Sequence, residues 1–298
     1  MITFVKSFFT EDNRLTLESS SMNHQHYTWT ATDQVKLFAQ SWTAEHDDRK
    51  LIILVHGLGE HSSRYEHWAR LFAEKGYSLL TMDLHGHGRS EGKRGHIKSL
   101  DVLLDDIDIL YNKSEDLFPG YKKVLYGHSM GGNLVLNHVI RRNRPVDAII
   151  TTSPWLKLYN EPSDLVLKIT GWLKSIMPAL SISNQLKAEQ ISHDPEVVRD
   201  YERDPLNHDR ISLKMFHELY QGGYHALRNV YKINYPFLIM HGTSDTICSP
   251  KASEEYVMNT SKRTRLKLWP NQYHELHNEF IKEEVHAYII SWLEEQKI

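Results

Sequence analysis

Short apolar runs alternate with amphipathic segments along most of this chain, and this alternation constrains the fold more than any other feature. The run KLIILVHG at 50–57 is continuously apolar up to its last residues, which is typical of a strand buried on both faces. The segment SRYEHWARLFAEKG at 63–76 places apolar residues at helical spacing and ends at a glycine. Strands that alternate with helices predict a mostly parallel sheet with helices on both faces.

The pattern predicts one α/β core assembled from two stretches of sequence, 1–154 and 235–298. A hairpin at 27–42 precedes the alternation, and residues 1–26, which have no clear period, are expected to form an N-terminal extension. The hairpin and the later strands together predict an eight-stranded sheet. The later strands are predicted at 50–57, 77–84, 122–126, 147–153, 236–242 and 264–270, and the helices at 63–76, 99–119, 131–142, 250–260 and 279–295.

The intervening residues 155–234 have helical periodicity and no convincing strand. An insertion that divides a sheet after one of its strands predicts a helical cap over the carboxyl ends of the strands, where open α/β sheets bind ligands. Within it, one helical face carries an apolar stripe that either packs inside the cap or docks on lipid, and the sequence leaves both interpretations open. The stripe consists of Leu165, Ile169, Trp172, Ile176 and Leu180.

Composition excludes several classes of function. The 298 residues carry a formal net charge of −3, so no basic field favours a nucleic-acid partner. No window approaches the ~18 consecutive apolar residues of a transmembrane helix, and the start MITFVKSFFTEDNR is a poor signal peptide. Cys248 is the single cysteine, which excludes an internal disulfide. We therefore expect a cytoplasmic protein, with membrane association left open.

One serine lies between two glycines in the pattern Gly127-His128-Ser129-Met130-Gly131. The pattern G-x-S-x-G falls between a predicted buried strand and a predicted helix, which is the setting of a nucleophile elbow. There a serine occupies a strained turn, and small flanking residues let the strand and the helix approach closely. Ser129 is therefore the candidate nucleophile.

A serine hydroxyl is a weak nucleophile near neutral pH and needs a base. In this type of fold the acid and the histidine follow the serine in that order, each after a later strand. Asp245 follows the predicted strand 236–242, and His274 follows the predicted strand 264–270. The expected catalytic triad is Ser129, Asp245 and His274.

The transition state of acyl transfer also needs donors for an oxyanion. One donor is expected to be the backbone N–H after the serine, which belongs to Met130. The loop HGLGEH at 56–61 follows an early strand, and its glycines permit close backbone approach, so Leu58 is expected to supply the second N–H.

Five blocks of sequence resemble the monoacylglycerol lipase and lysophospholipase group of the α/β-hydrolase superfamily: HGLGEHSSRY, MDLHGHGRSEGKRGH, GHSMGG, GTSDTICSP and YHELHNE. The resemblance implies an α/β-hydrolase fold, the same triad and the same oxyanion donors. It further implies that Glu60, Arg64 and His277 line a polar pocket for a glycerol head group. Cys248 matches a family cysteine near the triad acid, either as a site for thiol reagents or as a small packed residue.

No metal or cofactor is expected. The His-x-His of DLHGHGRS is not followed by the residues of a two-metal hydrolase, and the histidines of HELHNE do not have the spacing of a zinc protease. The expected chemistry is that of a serine hydrolase alone.

The expected function is hydrolysis of the carboxylic ester of a monoacylglycerol to fatty acid and glycerol through an acyl-enzyme. A lysophospholipase or a broad carboxylesterase would use the same chemistry, and an acyltransferase would pass the acyl group to an acceptor other than water. A non-catalytic lipid-binding protein is the alternative of another class. The expected partner is an acylglycerol or another lipid ester, with peripheral membrane contact through the cap as a further hypothesis.

Overall fold

An eight-stranded sheet forms the centre of the molecule in a computed structural model, which describes residues 22–260 and 263–298. The strands lie in the order β1-β2-β4-β3-β5-β6-β9-β10. Strands β1 and β2 are antiparallel to their neighbours, and all pairs from β4 to β10 are parallel. The predicted mostly parallel sheet of eight strands is confirmed. Its strands are β1 Asn23–Thr30, β2 Lys36–Thr43, β3 Lys50–Val55, β4 Tyr77–Met82, β5 Lys122–His128, β6 Ala148–Thr152, β9 Phe237–Gly242 and β10 Thr264–Trp269.

Eight α-helices connect or flank these strands in the described part of the chain. Several begin where the sequence offers a cap: Ser212 accepts a hydrogen bond from the N–H of Met215, and Asp194 accepts one from Glu196 directly before Pro195. The helices are α1 Glu66–Ala73, α2 Leu100–Leu117, α3 Met130–Arg142, α4 Asp164–Ile176, α5 Pro195–Arg203, α6 Leu213–Arg228, α7 Pro250–Met258 and α8 Lys282–Glu295.

Two apolar cores cover the two faces of the sheet. Along β3, Leu51, Ile53 and Val55 pack in the core that includes α2 and α3, whereas Ile52 and Leu54 pack in the core that includes α1 and α8. This alternation follows from the two-residue period of a strand. Because both faces are covered, the central parallel strands are largely apolar, and helices on both faces of the sheet are confirmed.

The first strand begins earlier than the sequence predicts. Strand β1 starts at Asn23, not at residue 27, and His24 lies opposite Trp42 with the two rings stacked 4.6 Å apart. The expected extension at 1–26 is therefore wrong for residues 23–26. The polar string NHQH has no apolar face that could reveal a strand, because this edge strand is largely exposed. Residues 1–21 lie outside the described residues.

The segment between β6 and β9 contains α4, α5 and α6, as its periodicity predicts, and also two short strands. These strands, β7 Ser181–Ser183 and β8 Arg210–Ser212, pair antiparallel in a small separate sheet. The expectation of no strand in 155–234 is therefore wrong. Three-residue strands produce no readable period, and their partners are distant in sequence. Among the described residues, no helix is long and apolar enough to cross a membrane.

Candidate active site

Ser129 occupies a sharp turn between β5 and α3, with φ of 52° and ψ of −116°. The two glycines are required by close packing around this turn. A Cβ atom at Gly127 would lie 2.4 Å from the carbonyl oxygen of Gly131, and one at Gly131 would lie 2.0 Å from that of Val55. Any larger residue at either position would push apart β3, β5 and α3. The strained backbone at Ser129 is therefore maintained by the surrounding structure, as at many functional sites.

Asp245 and His274 form a buried pair beside the cavity that Ser129 lines. Nδ1 of His274 lies 2.7 Å from Oδ2 of Asp245, and His274 and Ser129 both line the cavity wall. The other carboxylate oxygen, Oδ1, accepts hydrogen bonds from the N–H groups of Ile247 and Cys248 at 2.8 and 3.0 Å. The loop after β9 thus fixes the carboxylate of Asp245. Because Asp245 contacts Nδ1 of His274, the other ring nitrogen, Nε2, is the one not engaged by Asp245.

The electrostatics of this pair favour a charged imidazole. Burial alone would lower the pKa of His274, but the adjacent Asp245 carboxylate outweighs burial and raises that pKa above its usual value. Burial would also raise the pKa of Asp245, but hydrogen bonds and charge from His274 and His241 hold it well below its usual range. The pair is therefore suited to accept a proton on the imidazole while the carboxylate stays ionised.

A second histidine, His241, holds the same carboxylate and was not identified from the sequence. Its Nε2 lies 2.9 Å from Oδ2 of Asp245, and its Nδ1 lies 2.8 Å from the hydroxyl of Ser253. His241 is fully buried near the end of β9, four residues before Asp245. The only signal in the sequence was a polar residue at the end of the apolar run FLIMHG.

The two residues expected to donate to the oxyanion, Leu58 and Met130, lie just after the ends of β3 and β5. Met130 is the first residue of α3, where the helix leaves N–H groups without an acceptor in the preceding turn. Leu58 lines the cavity in the loop after β3, and the neighbouring N–H of Gly57 donates to Oε1 of Glu60 at 2.5 Å. This bond fixes the turn that carries Leu58.

The cavity itself has a volume of about 490 Å³ and joins the ends of the central strands to the segment 155–234. Most of its wall away from Ser129 is apolar. Among the described residues, no lysine or arginine lines the wall, and no group of three histidine, cysteine or acidic side chains is placed to hold a metal ion. Its apolar side chains include Trp155, Leu158, Val166, Ile211, Leu213 and Phe216.

Only one of the three expected head-group residues lies on the cavity wall. Glu60 lines it, whereas Arg64 lies behind Glu60 and Glu275. Arg64 Nη1 donates to Oε2 of Glu60 and to Oε1 of Glu275, and Nη2 donates to Oε2 of Glu275, all at 2.7 Å. The expectation that Arg64 lines the pocket is therefore wrong. Its place on the wall is taken by Glu275, which the sequence did not single out.

His277 is also absent from the cavity wall. Its ring stacks on Tyr65 at 4.7 Å and lies edge-on to His128, and neither ring nitrogen has a hydrogen-bond partner among the described residues. Burial lowers the pKa of His277 well below its usual value. The expectation of a head-group contact is therefore wrong, and His277 packs as a neutral aromatic ring.

Cys248 lies on the cavity wall but is almost completely buried. Burial, and then the charge of Asp245, raise the pKa of its thiol well above the usual value. Because the thiolate is the reactive form, the structure favours a small packed residue over a site for thiol reagents.

Known proteins resemble this chain in sequence and in structure. A family model described as serine aminopeptidase, S33, matches residues 46–280. An uncharacterized abhydrolase domain-containing protein of Dictyostelium discoideum is 38% identical over 270 residues, which cover 89% of this chain but only 28% of that protein. The monoglyceride lipase of Homo sapiens is 30% identical over 248 residues, which cover 82% of this chain and 81% of the lipase.

Among solved structures, the monoacylglycerol lipase of Paleococcus ferrophilus superposes with a TM-score of 0.79 at 32% identity. The match covers 87% of this chain and 99% of the lipase. The predicted α/β-hydrolase fold and the resemblance to the monoacylglycerol lipase group are thus confirmed. Because the family model covers most of the sequence, the chain belongs to the serine aminopeptidase S33 family of the α/β-hydrolase superfamily.

Proposed function

We propose that this protein is a serine hydrolase that cleaves the carboxylic ester of monoacylglycerols to fatty acid and glycerol. One observation carries the proposal: the strained Ser129 and His274, which is paired with Asp245, line the same largely apolar cavity. The similarity to monoglyceride lipases of two organisms, at 30% and 32% identity, supports this substrate class.

In the proposed reaction the Ser129 hydroxyl attacks the ester carbonyl carbon while Nε2 of His274 accepts its proton. Asp245 stabilises the resulting imidazolium through the 2.7 Å contact to Nδ1. The tetrahedral intermediate collapses when the C–O bond to glycerol breaks and His274 returns the proton to the departing alkoxide. Water then attacks the acyl-enzyme by the same route, and the fatty acid leaves.

Two backbone N–H groups, of Leu58 and Met130, are proposed to hold the oxyanion. The hydrogen bond between Gly57 and Glu60 supports this role, because it fixes the loop before the reaction starts. Donors that are already oriented stabilise the developing charge without reorganisation, which accounts for a large part of catalysis in such sites.

The segment 155–234 is proposed to act as the cap that admits the acyl chain. Helix α4 supports this role because it faces two environments: Val166 and Thr170 line the cavity, whereas Leu165 and Trp172 are about two-thirds exposed. An exposed apolar face is suited to dock on a lipid surface and deliver a substrate to the cavity behind it. Peripheral membrane contact through α4 is therefore part of the proposal.

A fluorophosphonate probe, which phosphonylates activated serines, tests the chemistry. The wild-type protein is expected to be labelled and to hydrolyse monooleoylglycerol, and Ser129→Ala is expected to lose both properties. Rates on lysophosphatidylcholine and on a short soluble ester, measured beside monooleoylglycerol, test the substrate class. Labelling that persists in Ser129→Ala would move the nucleophile, and an unlabelled wild-type protein would favour a lipid-binding function.

A further inference from the structure

The polar end of the cavity carries two carboxylates. Glu60 and Glu275 both lie on the wall close to His274, and both are almost completely buried. In its hydrogen bonds with described residues, the Glu60 carboxylate acts only as an acceptor. The donors are the N–H of Gly57, the hydroxyl of Tyr65 and the guanidinium of Arg64. A carboxylate accepts such bonds only in its ionised form without conflict. The end of the cavity beside the candidate base is therefore anionic.

The guanidinium that pairs with both carboxylates, that of Arg64, does not line the cavity. This guanidinium donates three hydrogen bonds to the two carboxylates and lies 4.8 Å from the ring centre of Tyr201, which itself lines the cavity. The single positive charge of Arg64 balances only one of the two carboxylates, and both carboxylates line the cavity. Arg64 thus holds the carboxylates in place and leaves a net negative charge facing the ligand.

Each carboxylate also has an acceptor site that no residue in the described part of the chain uses. Within residues 22–260 and 263–298, Oε1 of Glu275 and Oε2 of Glu60 each accept one hydrogen bond, in both cases from Nη1 of Arg64. A carboxylate oxygen can accept about two hydrogen bonds, so each has room for one further donor. A head group with two hydroxyls can supply both donors, whereas a phosphate supplies negative charge that both oxygens repel.

We propose that Glu275 is a specificity-determining residue that makes the enzyme select neutral, hydroxyl-bearing head groups and reject head groups that end in a phosphate. The proposal rests on the proposed hydrolase function and deepens it. Lysophosphatidate has the same acyl ester as a monoacylglycerol but carries a phosphate of about −1.5 to −2 charge, so it is the matched substrate to be rejected.

Glu275 also affects the candidate base. Burial lowers the pKa of His274, and the charge of Glu275 adds to the larger effect of Asp245 in raising it. Loss of that charge is expected to lower the His274 pKa. Because the base must be neutral to accept a proton, the acidic limb of kcat/KM should move to lower pH in Glu275→Gln.

The experiment compares monooleoylglycerol with oleoyl lysophosphatidate, using wild type, Glu275→Gln and the control Glu161→Gln. Rates are divided by the fraction of protein that a fluorophosphonate labels, so that unfolded enzyme does not count. The ratio of kcat/KM for lysophosphatidate to that for monooleoylglycerol is expected to rise about tenfold in Glu275→Gln. It should stay unchanged in Glu161→Gln, because Glu161 does not line the cavity and a glutamine oxygen can still accept the hydrogen bonds that Leu158, Tyr220 and Tyr224 donate to it.

A ratio in Glu275→Gln within twofold of wild type would overturn the proposal. If this variant does not fold, inhibition of the wild-type enzyme tests the proposal. A non-hydrolysable monoalkylglycerol should inhibit it at least about tenfold better than the phosphate ester of the same compound. Equal inhibition would also overturn the proposal. Failure of the hydrolase function itself would look different, because wild type would then not hydrolyse monooleoylglycerol at all.

Discussion

The loops at the ends of the strands and the segment 155–234 differ in how deeply their side chains are buried. Ser129, Asp245 and His274 are buried; a strained turn positions Ser129, and hydrogen bonds position Asp245 and His274. Helix α4 has no buried residue and exposes Trp172 and Ile176 to solvent. The proposed function accounts for this difference, because catalytic groups need fixed positions and a surface that docks on lipid needs exposed apolar side chains.

The same comparison predicts where substitutions are tolerated. In the loops a single added carbon meets backbone atoms that cannot move independently. In α4 most side chains end in solvent, so a change there alters the surface and leaves the packed core as it was. Three experiments test this difference, beginning with the largest expected effect.

Removal of the candidate base should cost the most. His274→Ala is expected to lower kcat by about 10⁴-fold or more, because the serine then has no group to accept its proton. Initial rates on monooleoylglycerol measure this loss, and the exposed His46→Ala serves as a control that should retain full activity. Near wild-type turnover in His274→Ala would show that another group is the base.

A glycine can be replaced by alanine in both regions: Gly131 lies in the first turn of α3, directly after the Ser129 turn, and Gly171 lies in α4. Gly131→Ala in α3 places a carbon 2.0 Å from the carbonyl oxygen of Val55, so it should lower the free energy of unfolding by about 3 kcal/mol and abolish labelling of Ser129. Gly171→Ala in α4 meets no atom closer than 3.5 Å and should be neutral or stabilise by up to about 1 kcal/mol.

Urea unfolding of both glycine variants measures the difference directly. If Gly131→Ala were as stable as Gly171→Ala, the tight contact between α3 and β3 would not exist in solution. The pair thus separates a general effect of alanine in helices from the specific packing of the turn.

The smallest effect on the fold is expected at the exposed face of α4. The double substitution Trp172→Ser and Ile176→Ser should weaken binding to phosphatidylcholine vesicles by about 2 kcal/mol or more, while the free energy of unfolding changes by less than about 0.5 kcal/mol. Co-sedimentation with vesicles measures the binding. Met258→Ser, which removes an exposed side chain from α7, is the control. Unchanged binding in the double variant would argue against docking through α4.

The sequence predicted the sheet and the candidate triad because both leave local patterns. Ser129 and Asp245 follow the buried, largely apolar strands β5 and β9, and His274 follows the edge strand β10, in which leucines alternate with Arg265 and Lys267. Pairing across the molecule leaves no such pattern. Arg64 appeared to be free to meet a ligand because nothing nearby in sequence indicates that Glu275, 211 positions later, binds its guanidinium.

Burial explains why the sequence did not predict the roles of His277 and His241. A histidine such as His277 looks polar in sequence, but its ring is packed among aromatic neighbours and stays neutral. The support that His241 gives to Asp245 was equally hidden, since a buried histidine at the end of a strand is usually a structural residue. Such roles depend on the distances between side chains, which one sequence does not contain.

Strands β6 and β9 are direct neighbours in the sheet although the whole segment 155–234 separates them in the chain. The chain therefore leaves the sheet and returns beside its point of departure. A segment inserted in this way can change in length or sequence without changing the order of the strands that precede Ser129, Asp245 and His274. Under the proposed function, the part of the cavity that receives the acyl chain can therefore diverge while the strands and loops around Ser129, Glu60 and Glu275 are retained.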